Sequence, residues 1–276
     1  MSRKHLYFIL VSVFVVLGAL ALSEAKVSPE DSDLTKEELV ETVEEENPEV
    51  ALEKLKEEAR LDPYVSRSCH YIGRATYNKY QDLNESWSYI DGYCSGGYIH
   101  GNLHEYFEQR ETFPENFDTC SQFEEESRFR WDCSHGSGNA FVMFTDNNLS
   151  RSINLCEREF ESSFQKEACA NGAYVQHFRN IPSELSNSSY SYPDDTFETC
   201  SQTKSQYRME CYQYVDDYFH ENDVSNIFEM SQKCANVGNN TMSQKCLENV
   251  YKPYMYEMIF EVSKYTAGLN LITSLG

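Results

Sequence analysis

The sequence predicts an all-α protein, a disulfide-stapled array of helical hairpins that is α-solenoid-like in construction. Three observations carry this. Eight of the ten cysteines fall into four pairs of similar separation: Cys120 and Cys133, Cys156 and Cys169, Cys200 and Cys211, Cys234 and Cys246. After each second cysteine comes an aromatic-rich run without strand-like alternation, such as Ala140-Phe-Val-Met-Phe144 or Ala173-Tyr-Val-Gln-His-Phe178. Those second cysteines recur at intervals of 36, 42 and 35 residues (133 to 169, 169 to 211, 211 to 246), the period of two-helix repeats.

Taken in order, residues 1–25 read as a signal peptide. Arg3 and Lys4 precede an uncharged, mostly apolar stretch from Leu6 to Leu22, and small residues at Ala19, Ala21 and Ala25 suit signal peptidase. The expected localisation is therefore secreted or lumenal; the alternative is an uncleaved signal anchor at the membrane. No second apolar run of spanning length follows, so no stable membrane span is expected after cleavage. Residues 26–46 carry nine acids against Lys26 and Lys36 and read as a solvated, partly helical acidic leader. The helical-hairpin repeat domain is expected over 47–276. It opens on Pro48-Glu49, a good helix start, and a second helix runs from about Tyr64 through Cys69 and Ile72 to about Tyr80.

Each cysteine pair is expected to staple one hairpin beside its loop; pairing between successive repeats is the alternative that spacing leaves open. Cys69 and Cys94 fall outside the two-per-unit rule and by elimination would bridge each other. In an exported chain, Asn84, Asn148, Asn187 and Asn239 are sequons for surface glycans. The formal charge of −22, with 45 acids against 23 bases, excludes nucleic acid as a partner, because a polyanion is bound by displacing its counterions with basic residues.

A finer repeat lies inside the helices that follow the loops. Tyr98-Ile-His100-Gly101, Cys133-Ser-His135-Gly136 and Cys169-Ala-Asn171-Gly172 align without gaps, and Cys69-His70-Tyr-Ile-Gly73 is a looser version. Equivalent positions in stacked hairpins form a ladder, and a mid-helix glycine suggests a close neighbour. His100 and His104 also stand four residues apart on one helical face. Two imidazoles at that spacing can chelate a metal ion, and His70 or His135 would complete the set, with a divalent transition metal as cofactor. The competing reading, which is the one preferred, makes these side chains ordinary hydrogen-bonding groups between packed helices. His177 and His220 lie off the ladder. Thioredoxin, covalent-haem, zincin, phosphate-loop, dinucleotide and serine-hydrolase signatures are absent, although Ser137 sits in His135-Gly-Ser-Gly138.

With these motifs, the segment from Pro48 to about His177 resembles a set of uncharacterised exported prokaryotic proteins with Cys-His-x-x-Gly and x-His-Gly helical repeats. The resemblance includes the Leu61-Asp-Pro63 helix end before Cys69-His70. Asn139 stands where that pattern has a histidine. The resemblance implies the repeat and the histidine ladder and no activity. The expectation is an exported helical-repeat binding or scaffold protein without its own catalysis, taking a protein or peptide ligand on a repeat surface. The alternative is a metal-binding protein or metal-dependent enzyme using the histidine cluster.

Overall fold

The computed structural model describes residues 34–58, 65–94, 96–115, 117, 119–179, 196–214, 227–237 and 240–251, and over these residues the chain is helical with no strand. The signal-peptide stretch, Asn187, Asn239 and His220 lie outside the described residues. Helix α1 (Lys36–Glu45) is set by a capping box. Thr35 Oγ1 accepts from the Glu38 N–H at 3.2 Å, and the Glu38 carboxylate accepts from the Thr35 N–H at 2.8 Å. At its far end, Lys79 Nζ donates to the carbonyls of Val43, Glu44 and Glu46 at 2.7, 3.1 and 2.8 Å, which satisfies orphan acceptors and opposes the helix dipole. Helix α2 (Pro48–Glu58) starts on its proline, and the Asn47 side chain accepts from the Val50 N–H at 3.0 Å.

Leu39 and Val43 of α1, Ala51, Leu52 and Leu55 of α2, and Cys69, Ile72 and Ala75 of α3 (Val65–Tyr80) bury themselves in one apolar cluster. The second half of the expected solvated leader is therefore part of the folded unit, and a boundary at residue 47 falls between two helices that share a core. The acids of α1 occupy its outer face, which is what made the segment read as a tail.

The chain continues through α4 (Leu83–Trp87), α5 (Gly97–Glu108), α6 (Arg128–Phe144), α7 (Leu149–Glu159) and α8 (Ser163–Arg179). Asp82, Ser127 and Asn148 cap α4, α6 and α7 through their side chains. Phe107, Phe117, Phe141 and Phe160 fill a second cluster, with Phe113 and Phe144 against it. Short helices α9 (Thr196–Gln202) and α10 (Arg208–Cys211), then α11 (Ile227–Ala235) and a helical segment over 240–251, close a third cluster around Tyr174, Phe178, Tyr207 and Met230.

All ten cysteines are paired, each with its nearest neighbour in sequence: Cys69–Cys94, Cys120–Cys133, Cys156–Cys169, Cys200–Cys211 and Cys234–Cys246. Their Cα separations run from 5.4 to 5.6 Å. Five disulfides fit an oxidising, extracytoplasmic setting. Among the described residues no helix is long and apolar enough to cross a membrane.

Helices α3 and α5 pack together, as do α5 and α6, and α6 and α8. Glycine decides how closely. A Cβ on Gly73 would lie 2.1 Å from the Tyr98 carbonyl oxygen, and one on Gly101 would lie 2.1 Å from that of His70. The contact recurs between α6 and α8, where a Cβ on Gly138 would meet the Cys169 oxygen at 1.9 Å and one on Gly172 the His135 oxygen at 1.9 Å. In both pairs each helix lays its glycine on the backbone of the other. No side chain fits between them, so the backbones touch.

Three outcomes are expected. Gly138→Ala should destabilise by about 3 kcal/mol or more in urea unfolding, because backbone must move to admit the methyl group. Gly92→Ala, where a Cβ would meet nothing within 4 Å, should stay within about 1 kcal/mol of the parent. Replacing Cys156 and Cys169 together with Ala opens a loop of 13 residues' separation and should cost about 3 kcal/mol by the same assay.

Candidate functional site: a row of histidines across the glycine crossings

The glycines place the histidines. Gly101 lies on the backbone of His70, Gly172 lies on the backbone of His135, and a Cβ on Gly136 would come 2.6 Å from the His100 ring. Each glycine of the x-His-Gly and x-Asn-Gly motifs is thus the seat of the histidine one motif earlier. The periodic His-Gly pairing is a register device: it brings His70, His100 and His135 side by side on α3, α5 and α6.

The rings meet as a consequence. His70 and His104 have centroids 4.5 Å apart in edge contact, His70 and His100 are 6.5 Å apart, and His100 stacks on His135 at 5.1 Å. His104 is buried at 6% exposure, while His70, His100 and His135 are half-buried. The structure therefore gathers all four histidines singled out from the sequence. Among the described residues, however, no group of three or more His, Cys, Asp or Glu side chains is arranged to hold a metal ion.

The cluster is built to be neutral. Burial pushes the His70 imidazole down to about 4, with the Arg74 guanidinium adding to the effect. Burial first, and then neighbouring histidines, hold His100 and His104 well below the ordinary range. Arg74 is itself ion-paired, to Glu105 at 2.7 Å and to Glu108. His100 Nε2 and His104 Nε2 are buried without a hydrogen-bond partner.

Further along the row the seat is filled differently. Asn171, the counterpart of His100 and His135 on α8, donates to Glu210 Oε2 at 2.8 Å and accepts from the Tyr214 hydroxyl at 2.8 Å. Glu210 also accepts from Gln213 at 3.0 Å, and burial raises its carboxyl. Sequence reasoning missed Glu210 and Tyr214. The cysteine-plus-two position of Cys169-Ala-Asn171 corresponds to Gln213 in Glu210-Cys-Tyr-Gln-Tyr214, so the repeat pattern points to neither residue. Asn139 is buried on α6, and Ser137 spends its hydroxyl on the Cys133 carbonyl at 2.9 Å, an ordinary intrahelical bond.

His177, placed off the ladder from the sequence, is buried and pairs through Nδ1 with the Asn147 side-chain oxygen at 2.8 Å. Of the sequon asparagines within the described residues, Asn84 and Asn148 are exposed.

No family model, no curated protein and no solved structure matches the chain.

The buried neutral imidazoles make stability acid-sensitive. Burial lowers His177 from 6.5 to about 4, so the unfolded chain takes up this proton at a pH where the folded one does not. Its share of stability is fully present above pH 6.5 and is lost progressively as pH falls toward 4. Across that window His177→Gln should lose about 3 kcal/mol less than the parent in urea unfolding, because it removes the titrating ring. Comparing the two proteins cancels the carboxylates common to both.

Proposed function

We propose that this protein is an exported helical-repeat scaffold that binds a protein or peptide ligand along the surface of its stacked hairpins and performs no catalysis of its own. The observation that carries the reading is the seating of each motif's glycine on the histidine of the motif before it, in three consecutive steps. A contact repeated at successive helices is how a row of hairpins extends itself, each unit making its closest contacts with its neighbours. The disulfides support the same reading, since each closes one short stretch of chain and leaves the outer helix faces available. Oxidised pairs throughout fit an extracytoplasmic location, where glycans on exposed Asn84 and Asn148 would be in keeping. The charge of −22 favours a partner with a basic surface, which would be steered to the scaffold at low salt.

Cross-linking mass spectrometry on the disulfide-intact protein, incubated with the extracytoplasmic fraction of its source cells, tests this. A partner whose cross-links fall on at least two hairpins, and which is released by reducing the disulfides, supports a repeat-surface scaffold. A footprint confined to a single loop, or turnover of a substrate by the purified chain, defeats it.

A further inference from the structure

Among the buried polar side-chain atoms without a hydrogen-bond partner, two stand on one face of one helix. A buried acceptor without a partner costs about 1–3 kcal/mol, and such atoms call for an explanation. On α5, one turn apart on one face, His100 and His104 both bury an Nε2 with no hydrogen bond. The contrast within the row is informative: Asn171, at the position corresponding to His100, has both ends of its amide bonded. Nothing in the fold uses the buried Nε2 of either ring. With the proton on Nδ1 the lone pair is on Nε2, a tautomer in which histidine ligates a metal. His70 packs against the pair from one side.

We propose that His100 and His104 form a two-imidazole chelate for one transition-metal ion, binding through their Nε2 atoms. The site goes beyond the scaffold reading and does not depend on it. It takes two protein ligands, in keeping with the absence of any arranged triad among the described residues, and water or a partner's ligand completes the coordination. Two neutral imidazoles with no carboxylate select a borderline or soft ion, so Cu2+ binds tightest, Ni2+ and Zn2+ less tightly, and Mg2+ and Ca2+ not at all.

Equilibrium dialysis of the full chain against Cu2+ in excess Mg2+, followed by pulsed electron paramagnetic resonance, tests the site. One equivalent of Cu2+ should be retained, with hyperfine coupling from two imidazoles. His100→Asn and His104→Asn should each weaken binding beyond the about 100-fold that losing an outer-shell partner causes. His177→Asn, outside the cluster, should bind as the parent does. Retention in both cluster variants overturns the proposal, as does competition by Mg2+ that places the ion on surface carboxylates. Should the variants fail to fold, the resonance signal of the parent decides alone: coupling from fewer than two imidazoles overturns it.

Discussion

The interaction on which everything else depends is the contact of glycine with the backbone of the facing helix. Helices normally pack eight to ten ångströms apart because side chains separate them. Here Gly73 and Gly101, and again Gly138 and Gly172, remove that spacer at reciprocal positions. A mid-helix glycine is unfavourable by about 1 kcal/mol relative to alanine, so four of them are tolerated only because closer packing offsets the loss. Once two helices touch in this way, neither can slide or rotate without driving a carbonyl into a Cα. The positions of the histidines, of the aromatic clusters on either side and of the polar row follow from that lock.

Much of this was legible in the sequence, for a definite reason. The cysteine pairs and the His-Gly recurrences are local signals: each lies within one or two turns of chain, and their repetition at a fixed period gives them weight that no single instance has. The identity of the glycine's neighbour was not legible. That Gly101 lies on His70 and Gly136 on the His100 ring depends on which helix faces which, a long-range fact. For the same reason α1 passed for a solvated tail. Its nine-to-two excess of acids over bases across 26–46 dominates any composition window, while the informative residues are few. Leu39 and Val43 stand four apart on one face, and Thr35 with Glu38 forms a capping box, enough for an amphipathic helix. The Lys79 ammonium that closes its other end comes from 33 to 36 residues away and leaves no local trace.

The polar row illustrates how one repeated position can be put to different uses. At His100 the side chain is a neutral ring stacked on His135, with its Nε2 buried and unpartnered. At Asn171 the same position is an amide locked between a carboxyl and a phenol. The first arrangement leaves an acceptor with nothing to accept from, and the second leaves nothing open. Glycine fixes the backbone approach at both crossings, while the side chain beside it differs. That difference makes the N-terminal half of the row the chemically distinctive part of the molecule.

The order of the disulfides has a consequence for how the protein is made. Every cysteine is joined to the next one along the chain, so no bridge encloses a cysteine belonging to another. A polypeptide threaded through a translocation pore from its amino end would present these thiols to an oxidant two at a time, in the order they must combine. Oxidation in order of emergence then gives the native set directly, with no wrong bridge to reshuffle. For a chain with ten thiols this replaces a search among many isomers by five consecutive local closures. Biogenesis and architecture thereby follow the same direction along the chain.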